Sequence, residues 1–519
     1  MKLDQINEKR LKIGLTLCLF VMFLGTRLWQ LTTLPFGMHI DEAGMAYDAW
    51  CLAQYGVDRY LKSWPVYLIN FGGGQNALYT YLCAGLFKIF GYSMWMVRLP
   101  AAFFSFITFI IGMKMTRKLF EEYTFLPFVT GLLIIICPCF IMAGRFGLES
   151  NLMLGMSSVF LYQIVLALET QKRRYYILAG ISGGLVFYTY ALSYIILPLF
   201  LILLFIYVIR VREFSVLDWI IMMVFMGILA IPLILVQIVN LFDLAEFQLG
   251  CFTITKLPIY RVSELERFSF QYLLLALKSI FIGDSLPYNS IPRHSNLYMI
   301  SAFLFVVGVI IAGKSFWNSV KKQKRNTLAI LFLWLFSMIY FECHVSANVN
   351  KINGAFLVVI LIVVIGMEGL FKRVGKYRKI FIVGMGGVYL TLFMAFGRYY
   401  YFGGYAEECY PLLYFDVTVQ EAVTYIEQDP ILKDKETQMA EHGIYYAIST
   451  FETPWELDFA NTPSVYGNYR FGTLEQIEER CNYIVKDEYG QYCEDLRAAG
   501  FTERKFDGYS LFYFANGSE

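Results

Sequence analysis

The 519-residue chain predicts a polytopic α-helical membrane protein with a small water-soluble α/β domain at its C-terminus. Three observations carry that reading. Hydrophobic residues make up 58% of the chain and charged residues 16%, whereas an average soluble chain is roughly 45–50% apolar and about 25% charged. A soluble fold carrying this much apolar surface would expose large adhesive patches. Apolar stretches also recur at about the 20-residue length that crosses a hydrocarbon core roughly 30 Å thick. Finally, short links between those stretches are basic. The formal net charge of +2 and the lack of a basic, aromatic-interleaved stretch argue against nucleic-acid binding.

Eleven stretches qualify or nearly qualify as spans: about 12–34, 98–116, 124–143, 150–168, 175–190, 192–210, 217–239, 297–313, 327–343, 353–370 and 380–398. The segment between Tyr175 and Arg210 is one apolar run of 34 residues. It is too long for one ordinary span, so it is broken near Tyr190-Ala191-Leu192-Ser193. Charge supports the break. The links Lys2 to Lys12, Lys114 to Lys118, Lys172 to Arg174, Arg210 to Arg212, Lys314 to Arg325 and Lys372 to Lys379 are basic, and only the split places all six on one side, as the positive-inside rule requires. The N-terminus is then expected in the cytoplasm and the C-terminus outside. The first apolar run is long and no small-residue cleavage motif follows it, so it reads as an anchor. Residues 1–398 form the expected transmembrane part, with outer loops at about 34–97 and 240–296. Residues 399–519 form the outer domain, with a helix around Glu421 to Ile426 and strands at Cys481 to Val485 and Tyr509 to Phe514.

Of ten cysteines, six (18, 83, 137, 139, 251 and 343) lie in or beside apolar stretches and behave as small apolar residues. Cys409, Cys481 and Cys493 fall in the outer domain, where oxidation is permitted. A Cys481–Cys493 disulfide and free thiols both remain open.

The first outer loop is the most informative segment. It opens with Leu34-Pro-Phe-Gly-Met-His39-Ile-Asp41-Glu42-Ala-Gly-Met-Ala-Tyr47-Asp48. Adjacent carboxylates at a membrane surface suit base catalysis, metal binding or cation transport. They also suit the first turn of a helix beginning there, and both readings stand. Asp58-Arg59-Tyr60 follows, then Trp64-Pro-Val-Tyr67 and Asn70-Phe-Gly-Gly-Gly-Gln75-Asn76-Ala-Leu-Tyr-Thr-Tyr81. The glycines would let backbone approach a ligand or simply form a turn. Without a following Gly-Lys-Ser/Thr they are no phosphate loop. Arg98-Leu99-Pro100 opens the second span.

The Asp41-Glu42-Ala-Gly-x-Ala-Tyr-Asp run, the Asn70 to Tyr81 run and Arg98-Leu-Pro together resemble glycosyltransferase family 39. That family comprises the dolichyl-phosphate-mannose protein mannosyltransferases and their bacterial relatives, among them the aminoarabinose transferases. In topology the resemblance covers about the first 400 residues, and it favours the bacterial branch. It implies the membrane-embedded GT-C architecture. It further implies inverting transfer of a hexose or pentose from a polyprenyl-phosphate-linked donor to an acceptor outside the cytoplasm. The acceptor class stays open among lipid, cell-wall polymer and protein. Carried onto this chain, the resemblance makes Asp41 the general base, with Glu42 assisting. His39, Tyr47, Asp48, Gln75, Asn76, Tyr81 and Arg98 become supporting or substrate-binding residues.

Two further points belong to the same resemblance. Arg145-Phe-Gly-Leu-Glu149 matches a family arginine followed four residues later by an acid. On a helix the two would share a face, with Arg145 meeting the lipid phosphate and Glu149 supporting it. The alternative is a local ion pair at a helix end. Lys351 stands where relatives often carry an arginine for the donor phosphate, and it can act there as a point charge or snorkel to the interface.

Sugar transfer needs a carboxylate to take the acceptor's proton, tolerance of an oxocarbenium-like centre and cations for the departing phosphate. Asp41, Arg145 and Lys351 supply both signs. The donor sugar is already activated, so no nucleotide site is required, and Asp41, Glu42 and Glu149 are hard oxygen ligands that would suit a divalent metal. Asp284 to Asn289 and Ile291 to His294 are expected to meet donor or acceptor, and Tyr188 and Tyr190 to face the cavity. A secondary transporter or flippase of a lipid-linked or sugar substrate is the competing reading. It lacks the paired repeats common in transporters. A receptor-like scaffold is the third.

Overall fold

Backbone amides inside a bilayer must be paired within the chain, so apolar runs of this length become helices. The structure, a computed structural model, describes residues 2–121, 124–211, 215–260, 267–284, 288–291, 293–346, 348–409, 419–472, 474 and 476–514, with backbone alone for 2–7, 378, 379 and 409. The first outer loop carries α2 (Ile40–Tyr55), the hairpin β1 (Tyr67–Asn70) and β2 (Gly73–Asn76), and α3 (Leu78–Phe90), between α1 (Lys2–Leu28) and α4 (Met94–Leu119). Then come α5 (Leu126–Ile136), α6 (Pro138–Ala143), α7 (Glu149–Thr170), α8 (Arg173–Val186), α9 (Ser193–Val211) and α10 (Val216–Leu241). The second outer loop holds the hairpin β3 (Phe247–Leu249) and β4 (Phe252–Ile254), followed by α11 (Phe270–Phe281). The remaining apolar helices are α12 (Ile300–Lys322), α13 (Thr327–Glu342), the single turn α14 (Val349–Ile352), α15 (Phe356–Val374) and α16 (Arg378–Phe402).

All eleven expected stretches are therefore helical. Among the described residues, eight helices are long and apolar enough to cross a membrane. The α5–α6 pair, α8 and α13 are shorter. Cys137-Pro138 breaks the first of these, since proline at 138 cannot continue α5's hydrogen bonding and instead opens α6. The break near Tyr190 is present, with α8 ending at Val186 and α9 starting at Ser193. Two expectations are corrected. Among the basic links expected as loops, Lys2 to Lys12 lie in α1, Lys114 to Lys118 in the last turns of α4 and Lys314 to Lys322 in the last turns of α12. Arg145 and Glu149 do not share a helical face, because α6 ends at Ala143 and Glu149 is the first residue of α7.

Helix α15 is apolar all round, with Phe356 to Val364 at 0–1% exposure, and it forms the axis of the bundle. It packs closely on α12. A Cβ on Gly308 would collide with the Ile362 carbonyl, and one on Gly366 with the Leu304 carbonyl. Small residues at such crossings give membrane helices the short range their dispersion forces need. By contrast α1 and α16 stay largely uncovered, as suits lipid-facing helices.

The C-terminal segment begins with α17 (Tyr405–Cys409), α18 (Gln420–Gln428) and α19 (Pro430–Lys433). Its six-stranded sheet runs β6 (Val465–Tyr466), β7 (Tyr469–Phe471), β5 (Thr437–Met439), β8 (Asn482–Lys486), β10 (Tyr509–Tyr513), β9 (Thr502–Lys505). The expected helix and both expected strands fall on α18, β8 and β10. Cys481 and Cys493 are free buried thiols, packed with Tyr483, Phe501 and Phe512. Helix α20 (Gly443–Thr450) packs on α2 in a shared apolar core. The Tyr47 hydroxyl donates to the Glu452 carbonyl at 2.5 Å, and Tyr445 to that of Met38 at 3.3 Å. The sheet is thus built directly onto the loop that bears the acidic pair.

Candidate active site

Helix α2 begins where His39 accepts the Asp41 amide on Nδ1 at 3.2 Å, capping the helix and placing Asp41 and Glu42 in its first turn. Consecutive helical residues point about 100° apart, and the two carboxylates separate completely. Glu42 is fully buried. It takes a bidentate pair from Arg98 at 2.9 and 3.0 Å and the Gly147 amide at 2.8 Å. Arg98 spends its other donors on the carbonyls of Leu31, Pro35 and Gly37. The pair rivets the start of the loop to α4. Glu42 is therefore turned away from the cavity that Asp41 faces, and neither it nor Arg98 is among the residues lining that cavity.

Asp41, with its side chain 40% exposed, faces a cavity of about 630 Å³ shared with Gln75, Glu149, Tyr190, Tyr194 and Lys351. Its Oδ1 accepts the Asn70 amide at 2.8 Å, and its Oδ2 lies 3.6 Å from His39 Nδ1. Burial holds the imidazole below its ordinary pKa, against the pull of Asp41 and Glu42. On its other side Asn70 accepts from Arg59 Nη2 at 2.6 Å. Arg59 is 1% exposed, lies 3.7 Å from Asp48 and is flanked by the Tyr60 and Phe71 rings. Burial pushes Asp48 up to about 6 despite Arg59, and Asp58 up to about 8.

The inner wall is formed by Glu149, which accepts the backbone amide of Asn76. The Asn76 side chain ties the hairpin to the turn between α8 and α9 through Tyr194. Gln75 is buried with its carbonyl oxygen unpaired, a free acceptor on the cavity wall. Lys351 sits on α14, whose start is capped by Asn348 at 3.0 Å, and its ammonium donates to the Ser346 carbonyl at 3.2 Å. Close by, Glu342 is fully buried with neither carboxylate oxygen hydrogen-bonded.

Arg145 lies elsewhere. It is buried, and its guanidinium donates to the carbonyls of Thr26, Arg27, Trp29, Gln30 and Leu34 and to the Tyr400 hydroxyl. Thr26 and Arg27 belong to the last turn of α1, and Trp29, Gln30 and Leu34 to the turns that follow it, so the Arg145 donors are spent on fastening the end of α1 and are not among the groups that line the cavity. Tyr47 is spent on the C-terminal segment, and Tyr81 on the Pro65 carbonyl. Asp48 supports Arg59 rather than substrate. Tyr190 lines the cavity, whereas Tyr188 donates to Leu229. Asp284 accepts the Val349 amide at 2.6 Å, and Arg293 pairs with Glu408. Ser285 to Pro287 and Pro292 lie outside the described residues.

The metal trio is not assembled, since Glu42 is committed to Arg98. Among the described residues no three His, Cys, Asp or Glu side chains cluster for a metal. Arg59, Asn70, Tyr194 and Glu342 were not singled out from sequence. Asn70 stood in the glycine-rich run, but its bond to Asp41 appears only once β1 folds back toward α2.

Residues 48–238 match the family described as dolichyl-phosphate-mannose-protein mannosyltransferase, a stretch that begins after Asp41. Two structures of ArnT from Cupriavidus metallidurans superpose on nearly the whole chain. The form bound to undecaprenyl phosphate does so at TM-score 0.56 and 10% identity, covering 98% of this chain and 99% of that one. The apo form does so at 0.57 and 12%, covering 98% of each. An Archaeoglobus fulgidus oligosaccharyltransferase in complex with Zn and sulfate matches at 0.51 and 12%, covering 96% of this chain and 73% of that one. No curated protein matches the sequence. At such identities the likeness is one of fold. With the family match, it meets the resemblance to glycosyltransferase family 39 drawn from the first outer loop.

Proposed function

We propose that this chain, a polytopic membrane protein of GT-C fold, transfers a sugar from a polyprenyl-phosphate-linked donor to an acceptor outside the cytoplasm. The observation that carries the reading is the cavity that holds Asp41 and Lys351 together, with Asp41 fastened on one oxygen by Asn70. The neighbouring ArnT structure contains undecaprenyl phosphate, which supports a lipid phosphate as donor.

Asp41 accepts the proton of the acceptor hydroxyl as its oxygen bonds to the anomeric carbon. The bond from that carbon to the phosphate breaks, and the polyprenyl phosphate leaves with both electrons. One displacement with no covalent intermediate inverts the centre. Lys351, which lines the cavity, offers a cation to the leaving phosphate; the Arg145 donors are spent on carbonyls around the end of α1 and on Tyr400. Short basic links place the N-terminus in the cytoplasm and the C-terminal sheet outside, with the cavity on that outer side.

Two variants test the assignment. Asp41→Asn should abolish transfer while leaving expression and thermal stability intact, and full activity in that variant would remove the mechanism. Lys351→Gln should raise the KM for donor by roughly tenfold to a hundredfold, the value of one or two charge-assisted bonds. An unchanged KM would place the phosphate elsewhere.

A further inference from the structure

We propose that Arg59 and Asn70 are positioning residues that fix the rotamer of Asp41, and that Gly44 exists to admit them. The proposal rests on Asp41 acting as the base. Its force lies in the direction of each bond. A guanidinium has only donors and an ionised carboxylate only acceptors. The Asn70 oxygen must therefore face Arg59 Nη2 at 2.6 Å, and its NH2 must face Asp41 Oδ1 at 2.8 Å. The amide cannot flip without breaking both bonds. Oδ1 is thereby occupied, and Oδ2 is the oxygen presented to an acceptor hydroxyl.

The relay is anchored where water does not reach. Arg59 is buried; its backbone amide is accepted by Asp48 at 3.0 Å and its Nη2 also donates to Ile69. Its guanidinium lies 5.0 Å from the Phe71 ring and 5.4 Å from Tyr60. Phe71 is backed in turn by His442 of the C-terminal segment, ring centres 4.8 Å apart. Gly44 lies one turn along α2 from Asp41. A Cβ there would run into Arg59 Nη1 and stand 3.1 Å from Asn70 Oδ1. The glycine of the Asp41-Glu42-Ala-Gly44 run is thus the gap through which the relay reaches the helix.

Other groups also act on Asp41: His39 on its own helix, Glu149 from α7, Tyr190 from the turn before α9, and Tyr288 from the second outer loop. None of them is altered by the variants below.

Membranes from source cells deleted for the chain, complemented with full-length variants at equal level, supply endogenous donor and acceptor. The probe is the glycan or glycolipid that deletion removes, quantified from about pH 3 to about pH 9, a range that includes the ordinary carboxylate range. Asp41→Asn is run first, and persistence of the product there refutes the base assignment and the relay with it. If Asp41→Asn is inactive, Asn70→Ala should lower the rate about tenfold or more. It should also move the acid limb of the profile up, because a bond to the charged form is lost. Gly44→Ala should do the same, with a fall in Tm held to a few degrees, since the roughly 1–3 kcal/mol cost of displacing buried Arg59 is offset in part by alanine's preference for the helix of about 1 kcal/mol over glycine. A folded Asn70→Ala or Gly44→Ala protein with the wild-type rate and acid limb overturns the relay. So does a loss of rate in both variants that follows Tm alone, with the acid limb unmoved.

Discussion

Two adjacent carboxylates end up in opposite roles because of one helical step. Asp41 is half open to the cavity, while Glu42 is sealed against Arg98. A buried pair that loses one partner leaves an uncompensated charge, which costs about 3–5 kcal/mol. Glu42→Ala should therefore lower Tm sharply and reduce the amount of folded protein, whereas Asp41→Asn should not; thermal unfolding in detergent separates them. Arg145→Ala should likewise act on stability, by at least about 2 kcal/mol, because it removes a buried guanidinium that fastens the carbonyls at and just beyond the end of α1. Asp41 was legible in sequence because an acidic pair after an apolar run is unusual. The same signal misled for Glu42, since sequence adjacency does not say which way each side chain turns. Arg59 and Asn70 were beyond reach for a different reason. Asn70 meets Asp41 across 29 residues, and only the hairpin's fold-back joins them.

At the scale of elements, hydrophobic length was a good guide where each helix is long, and it placed even the α8–α9 break. It failed where polar residues continue a helix, as at the end of α12, and where a six-residue helix ends one turn early, as before Arg145. Nothing in the apolar pattern distinguishes a basic helical turn from a basic loop. The junction of α20 with α2 was also invisible, because it is made of aromatic contacts between distant segments. Its pH behaviour follows from His442, which caps α20 at 3.1 Å and is held down to about 4 by burial and by Arg59. An imidazole depressed in the folded state leaves stability intact above its unfolded value near 6.5 and removes it as pH falls toward 4. Acidification across that window should lower Tm. His442→Asn, which keeps an N-cap, should flatten the dependence, and an identical slope in both proteins would remove His442 as its source.

For the whole molecule, the C-terminal segment and the acidic loop share one core, so that segment packs behind the site instead of hanging from the bundle. Cysteines introduced at exposed positions of the edge strand β9, at Thr502 or Lys505, should label from outside intact cells; labelling only after the membrane is opened would invert the orientation. The central claim is sugar transfer from a polyprenyl phosphate with Asp41 as base. Its most direct test is mass spectrometry of glycans, glycolipids and polyprenyl-phosphate sugars from three cell lines: wild type, deletion, and deletion complemented with Asp41→Asn. The account predicts that the deletion lacks one glycosylated product and accumulates one polyprenyl-phosphate sugar, and that Asp41→Asn reproduces both changes. Indistinguishable profiles in wild type and deletion, or a wild-type profile restored by Asp41→Asn, would contradict it.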